Sequence, residues 1–183
     1  MSTLALEPIA DSSAAALPVE TAPTTTLPFK KIDHIALAVV DLEEAIVLFR
    51  DMLGFELKQR RHITGRLSGM VSAEMEGNGM SFVLCQGTEP ESQVARLVRN
   101  FGPGVAHIAL EVDDVDEAVD ALKSRGMDFD TTVIRGPGLT QAFSSRCLNS
   151  GMSFEIIHRE GEQGFLDSNV QSLFDQLEQS GKY

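Results

Sequence analysis

The stretch that decides the fold is His34-Ile35-Ala36-Leu37, because it recurs as His107-Ile108-Ala109-Leu110. A second stretch, Gly79-Met80-Ser81-Phe82, recurs as Gly151-Met152-Ser153-Phe154. The copies lie 73 residues apart at the first pair and 72 at the second, so one unit of about 70 residues occurs twice. Solenoid repeats are shorter, and this length indicates two similar modules packed within one domain.

Each copy contains start signals for one helix and alternating patterns for four strands. Asp41 with Glu44, and Asp114 with Glu117, form capping boxes ahead of apolar helical faces, and Gly126 ends the second helix. The strands are predicted at 32–39, 55–61, 67–76 and 80–86 in the first copy and at 105–112, 127–134, 139–148 and 152–159 in the second. The sequence therefore predicts an α+β fold in which two tandem β-α-β-β-β modules form a cupped mixed sheet, followed by a C-terminal helix.

Four equivalent positions in the two copies differ in their capacity to bind a metal. His34, His107 and Glu155 have ligand side chains, whereas Val83, which follows the first Gly-Met-Ser-Phe as Glu155 follows the second, has none. Alternate residues of a strand share a face, so a cupped sheet would bring the three ligand types together. Two imidazoles and one carboxylate with open coordination positions are typical of a non-haem Fe(II) oxygenase. We therefore expect Fe(II) as the cofactor.

Composition restricts the partners and the location of the protein. The formal net charge of −12 argues against nucleic acid and anionic membranes. No apolar run reaches the length of a membrane span, and the N-terminus lacks signal-peptide features, so we expect a cytoplasmic protein. Cys85 and Cys147 are predicted to be reduced, buried thiols. Residues 1–29, rich in Ala, Thr, Ser and Pro, are predicted to be a disordered arm ahead of a domain over 30–183.

The paired modules and their three ligand types resemble the vicinal oxygen chelate superfamily, which includes glyoxalase I, methylmalonyl-CoA epimerase, extradiol dioxygenases and 4-hydroxyphenylpyruvate dioxygenase. The resemblance is strongest to the metal-bearing C-terminal domain of the last and covers roughly residues 31–180. The stretches that carry it are Ser92-Gln93-Val94 leading to 102–110, then Gln141-Ala142-Phe143, and finally 154–159 followed by Gly164-Phe165, Asn169 and Leu173-Phe174. It implies module one at about 31–87, module two at about 104–160 and a closing helix at about 166–179.

The resemblance also implies roles for individual side chains. His34, His107 and Glu155 would hold Fe(II). The substrate would contact Ser72, Gln93, Gln141 and Phe143, and the pocket and its lid would include Val83, Cys85, Phe165, Asn169, Val170 and Phe174.

The implied reaction consumes O₂ and an α-keto acid with an aryl or alkyl tail. The chain departs from the family at Cys85, where Asn is usual, at Ala106, where Gln is usual, and at Val170, where an aromatic residue is usual. These departures make the pocket less polar, so 4-hydroxyphenylpyruvate itself is expected to fit poorly.

Several alternatives stay open at this stage. A metal-dependent isomerase, epimerase or glyoxalase-type lyase would generally have a fourth ligand where this chain has Val83. An extradiol catechol dioxygenase normally enlists His or Tyr beside the metal, but the one tyrosine is Tyr183, and His62 and His158 are predicted to face solvent or lie behind the ligands. A metal-free binding protein of this fold would have no reason to keep three ligands. The oligomeric state is open, with a homodimer as one expectation.

Overall fold

The computed structural model describes residues 27–65, 68–161 and 167–180. Its strands are β1 Lys31–Ala38, β2 Glu56–Thr64, β3 Gly69–Gly77 and β4 Met80–Gly87 in the first module, and β5 Gly104–Glu111, β6 Ile134–Gly136, β7 Leu139–Phe143 and β8 Phe154–Arg159 in the second. The helices of this described part are α1 Leu42–Val47, which continues as a π-helical segment Leu48–Met52, α2 Gln93–Phe101, α3 Val115–Ser124 and α4 Asp167–Ser180.

All eight strands form one curled sheet in the order β2-β3-β4-β1-β5-β8-β7-β6. The first strand of each module pairs in parallel with the last, and β1 joins β5 in antiparallel register. His34 lies opposite Ala109 and Ala36 opposite His107, so the two modules meet in an approximately twofold arrangement. The predicted α+β fold with two β-α-β-β-β modules is therefore confirmed.

The predicted helix starts are present in both modules. The Asp41 carboxylate accepts a hydrogen bond from the Glu44 backbone N–H at 2.9 Å, and Asp114 accepts one from the Glu117 N–H at 3.0 Å. Each capped helix then packs an apolar face against its own sheet strands. The opposite face of the sheet, where Val94 of α2 packs beside Ala36 and Val83, is the interior of the cup.

A β-bulge interrupts each of the two central strands just before its histidine. On β1, Ile32 pairs with Leu110 and His34 with the next residue, Ala109, so Asp33 has no partner. On β5, His107 pairs with Ala36 and Val105 with Leu37, so Ala106 has no partner. A bulge residue is left out of the ladder and can re-aim its side chain. The residues preceding His34 and His107 are thus set apart from the regular alternation.

The second module has shorter outer strands than the sequence predicts. In place of a strand over 127–134, the structure has an isolated bridge at Phe129 and the three-residue β6. Side-chain bonds compete with the ladder here: Thr131 Oγ1 accepts from the Phe143 N–H at 2.9 Å, and Ser145 Oγ donates to Asp130 at 2.5 Å. The predicted strands over 139–148 and 152–159 are likewise shortened to β7 and β8, because the chain turns away between them.

Other differences concern the link between modules and the cysteines. Helix α2 was not predicted, although the spacing of Val94, Leu97 and Phe101 is helical, and Gly102 ends it with φ +83°. Cys85 is buried as predicted, but Cys147 is exposed, because it lies in the turn after β7. Of the predicted arm, 27–29 alone are described, and they form no strand or helix. Within the described residues, no helix combines the length and apolarity needed to cross a bilayer.

Candidate metal centre

Three side chains that are far apart in the sequence meet at the bottom of the cup. His34 comes from β1, His107 from β5 and Glu155 from β8, and their donor atoms all lie within 4.8 Å of one another. His34 Nε2 is 3.2 Å and His107 Nε2 is 3.3 Å from Glu155 Oε2. The two Nε2 atoms are 3.3 Å apart. The three donors therefore form a nearly equilateral triangle.

This triangle fits a divalent first-row ion. Ligands bound at about 2.1 Å lie about 3.0 to 3.4 Å apart in octahedral or tetrahedral geometry, which matches the observed spacing. Glu155 is 1% exposed, and neither carboxylate oxygen has a hydrogen bond of acceptable geometry within the described chain. A buried carboxylate left this way is costly unless it pairs or binds a metal. The donor set and the orphaned oxygens thus suit the same ion.

Charge within the triangle is divided unevenly in the metal-free protein. Burial alone would lower the pKa of His34, but the Glu155 charge and the Asp33 hydrogen bond raise it to about 9. Burial alone would raise the pKa of Glu155, but the charge of His34 and the close contact with the His107 imidazole bring it to about 2. For His107, burial dominates and lowers the pKa. A metal ion would therefore replace a proton mainly at His34.

A buried ion pair stands directly behind His34. Asp33 Oδ1 is 2.9 Å from His34 Nδ1, and the two Asp33 oxygens accept from Arg159 Nη2 and Nε, each at 2.8 Å. The charge of Arg159 and its hydrogen bonds to Asp33 keep the pKa of Asp33 far below its usual range against the opposing effect of burial. Neither Asp33 nor Arg159 was predicted from the sequence. Their signal was weak, since a charged residue next to a histidine is common.

A second buried ion pair lies in module one alone. Arg61 on β2 donates to Glu74 on β3, and the two side chains are 6% and 5% exposed. Arg61 lines the cavity above the triad, whereas Glu74 lines a separate polar groove of about 720 Å³ that also includes Asp33 and Arg159. The two ion pairs therefore lie between this groove and the triad. Neither partner was identified from the sequence, which places them only within the strands predicted at 55–61 and 67–76.

The triad opens into two adjoining apolar cavities of about 60 and 100 Å³. Ser72, Gln141 and Phe143, predicted as substrate contacts, line the first, together with Val83, Cys85 and Val170. Gln93 and Phe143 line the second. The Gln141 Oε1 atom is buried without a hydrogen-bond partner in the described chain, which makes it available to a ligand. Leu173 lines both cavities and Arg146 the second; neither was predicted as a pocket residue.

Helix α4 closes the mouth by contacting β2 and β6, the two edge strands. Val170 packs with Ile63. Asn169 lies outside the cavity linings and donates from Nδ2 to the Leu139 carbonyl at 3.0 Å. Gly136 makes room for this contact, because a Cβ there would fall 1.7 Å from Asn169 Oδ1. Asn169 therefore anchors the helix and does not line the pocket.

The remaining predicted residues do not join the triad. Phe165 lies outside the described residues, and of Phe174 only the helical backbone is described. His62 is exposed. The His158 ring nitrogen Nδ1 is 2.9 Å from the Val112 carbonyl, so His158 is tied to the backbone on the far side of β8.

Comparisons with known proteins agree with this architecture. The family model described as Glyoxalase/Bleomycin resistance protein/Dioxygenase superfamily matches residues 31–145. The chain is 27% identical over 171 residues to 4-hydroxyphenylpyruvate dioxygenase of Pseudomonas aeruginosa, which covers 74% of this chain and 46% of the relative. It is 26% identical to hemolysin VllY of Vibrio vulnificus with the same coverage. The chain thus spans about half the length of these relatives.

Solved structures show the same fold. A variant of 4-hydroxymandelate synthase from Streptomyces coelicolor has a TM-score of 0.75 at 23% identity and covers 91% of this chain and 58% of that one. Methylmalonyl-CoA epimerase from Mycobacterium tuberculosis has a TM-score of 0.62 at 25% identity and covers 74% of this chain and 91% of that one. Because the family model matches well over half of this chain, the chain belongs to the glyoxalase/bleomycin resistance protein/dioxygenase superfamily.

Proposed function

We propose that this protein is a non-haem Fe(II)-dependent dioxygenase that acts on a small α-keto acid. The observation that carries the proposal is the unequal donor set of the two modules. His34, His107 and Glu155 would hold the ion at the bottom of the cup, and the position equivalent to Glu155 is filled by Val83, which lines the cavity. The remaining coordination positions are then free for a chelating substrate and O₂, as in other two-histidine, one-carboxylate oxygenases.

The charges around the site favour an anionic chelator. Arg61 pairs with Glu74 and Arg159 with Asp33, so both pairs are neutral overall. A divalent ion bound by the Glu155 carboxylate would leave one uncompensated positive charge in a buried, largely apolar site. A single carboxylate adjacent to a carbonyl would neutralise that charge and fill two coordination positions. Burial of unbalanced charge is costly, which favours an anionic ligand over a neutral molecule. Arg146, which lines the adjoining cavity and donates to the backbone carbonyls of Gly151 and Ala106, adds a second positive charge near the site.

The side chains of the cavity have separable tasks in this proposal. Gln141 and Ser72 offer polar contacts to the substrate, while Phe143, Val170 and Leu173 exclude water and pack against its apolar tail. Fe(II), when bound, would supply the coupling of O₂ reduction to loss of CO₂, with one oxygen atom entering the new carboxylate and the other entering the group that is oxidised. The apolar lining is consistent with phenylpyruvate-like or branched alkyl α-keto acids.

The test is anaerobic loading with Fe(II), followed by O₂ uptake and CO₂ release with phenylpyruvate, 4-hydroxyphenylpyruvate and branched aliphatic α-keto acids. We expect turnover that requires both Fe(II) and O₂ and produces CO₂ in equal amount to the O₂ consumed. Burying the phenol hydroxyl without its partners costs about 1 to 3 kcal/mol, so the hydroxylated substrate should have the lower kcat/KM. Absence of O₂-dependent CO₂ release with every acid would overturn the proposal.

A metal-dependent epimerase is the second candidate, because the structure of methylmalonyl-CoA epimerase from Mycobacterium tuberculosis shares the fold at 25% identity. That chemistry needs a divalent ion to stabilise an enolate but no oxidant. Proton exchange at the carbon next to a thioester carbonyl, measured anaerobically with Co²⁺, tests it. Exchange at equal rates with and without O₂ would favour this candidate.

A further inference from the structure

The ion pair behind His34 depends on the bulge in β1. In a regular strand, Asp33 and His34 would point to opposite faces of the sheet. Because Asp33 is the residue left out of the β1–β5 ladder, its carboxylate turns back to lie 2.9 Å from His34 Nδ1. The bulge thus lets two consecutive residues serve the same site.

Arg159 fixes the position of this carboxylate. It lies at the end of β8, the strand that also carries Glu155, and donates to both Asp33 oxygens at 2.8 Å. Two parallel hydrogen bonds between a guanidinium and a carboxylate define the plane of the acid as well as its place. Asp33 is 7% exposed on its side chain, so water competes little for these bonds.

The contact determines which nitrogen of His34 is offered to a metal. With the proton on Nδ1 held by Asp33, the lone pair of the neutral ring lies on Nε2. Nε2 is the atom that faces Glu155 Oε2 and His107 Nε2. The ring is therefore set in position before an ion arrives, and loss of the Nε2 proton leaves the lone pair on the atom that faces the other two donors.

His107 lacks such a partner. Its bulge neighbour is Ala106, and in the described part of the chain no hydrogen bond reaches His107 Nδ1. The ring instead packs edge-on against Phe143, with centroids 5.2 Å apart. One histidine is thus tethered by a charge and the other is held by packing.

We propose that Asp33, clamped by Arg159, is a positioning residue that sets His34 as an Nε2 donor and thereby strengthens metal binding without touching the ion. The inference rests on the proposed metal site. Hydrogen-bonded partners behind a metal-binding histidine typically contribute 10- to 100-fold to affinity. The effect here should fall on affinity and on ligand geometry more than on folding.

The experiment measures Co²⁺ affinity of the purified full chain by chelator competition, together with the visible spectrum of the bound Co²⁺. Asp33→Ala should weaken binding about 10- to 100-fold and shift the spectrum. Asp33→Asn keeps an acceptor oxygen for Nδ1–H but loses the charge, so its affinity should fall between those of Asp33→Ala and the wild type. Glu76→Gln is the matched control, because Glu76 lines the same groove without a contact to His34. It should bind within about twofold of the wild type.

A double variant, Asp33→Ala with Arg159→Met, separates the tether from the cost of a stranded cation. It should fold and still show the weakened affinity of Asp33→Ala. If the wild type binds no Co²⁺, the metal site itself is wrong. If the wild type binds but the Asp33 variants bind as tightly and give the same spectrum, this inference alone is wrong.

Discussion

The two modules share elements and register but not chemistry. In each module, the histidine lies two residues before an alanine that pairs with the module's last strand. Ala36, after His34, pairs with Val83, and Ala109, after His107, pairs with Glu155. Symmetry therefore supplies the two imidazoles. The carboxylate comes from module two, and the charged tether behind His34 comes from residue 33 of module one, where module two has Ala106. The duplicated scaffold places ligands, and differences between the copies decide what they do.

The substitution Glu155→Ala tests the difference between the last strands of the two modules most directly, because it removes the carboxylate that module one lacks. This substitution should reduce Fe(II) or Co²⁺ affinity by more than about 100-fold, since partners that only support a ligand already cost 10- to 100-fold. Val83→Ala is the matched control at the equivalent position and should keep metal binding, because an alkyl group donates nothing. Equilibrium dialysis with metal analysis measures both.

Equal retention of metal in the two variants would contradict the assignment of Glu155 as a ligand. Equal loss would show that the pocket shape at these positions, and not the carboxylate, controls metal binding.

The buried pair Arg61–Glu74 is the next largest difference, because module two has shorter strands there and no counterpart among its described residues. Arg61→Met leaves the Glu74 carboxylate buried without its cation and should lower the free energy of unfolding by about 3 to 5 kcal/mol. Arg61→Met combined with Glu74→Met should recover most of that loss, because two apolar side chains replace the pair. Urea denaturation of the metal-free variants provides the comparison.

If Arg61→Met with Glu74→Met is as unstable as Arg61→Met alone, the pair stabilises the fold by more than the mutual compensation of its two charges. An unchanged Arg61→Met variant would show that water reaches Glu74.

The features that were predicted correctly from the sequence are those that depend on the internal repeat and on local helix and strand signals. The capping aspartates, the central strands and the meeting of His34, His107 and Glu155 all follow from residues that recur at fixed spacing. The ligand role of these three residues stays a prediction, as do the substrate contacts, the cytoplasmic location and the absence of nucleic acid and membrane partners.

The missed features depend on pairing between distant strands. The bulge that turns Asp33 toward His34 exists only once β1 and β5 are in register, and Arg159 is 126 residues away from Asp33. Similarly, Thr131 and Asp130 read as strand residues until their side chains bond to the backbone of Phe143 and to Ser145. Local patterns do not contain this information.

The reverse substitution introduces a carboxylate at Val83, the position of module one that has no metal-binding side chain. Val83→Glu would place a carboxylate where symmetry with Glu155 directs it to the ion, filling a position needed by the substrate or O₂. We expect the metal to remain bound and O₂-dependent turnover to fall at least about tenfold, or about 1.4 kcal/mol. Val83→Met serves as the control of similar length without a donor. Steady-state O₂ uptake on metal-quantified samples distinguishes the two.

Val83→Glu turnover equal to that of Val83→Met would show that residue 83 does not face an open coordination position. Loss of metal in Val83→Glu but not in Val83→Met would place the new carboxylate away from the ion.

A pH dependence separates the two histidines without any substitution. Burial opposes a charge on His34, but Glu155 and Asp33 raise its pKa to about 9, so below that pH a proton must leave before Nε2 can bind a metal. His107, with its pKa lowered by burial, is already neutral at pH 7. Since one proton is displaced, metal affinity should rise by at most about tenfold per pH unit above pH 7 and level off near the pKa of His34. Chelator competition at several pH values measures the slope. A flat profile over this range would mean that His34 binds the metal without displacing a proton, and the two rings would then be electrostatically alike.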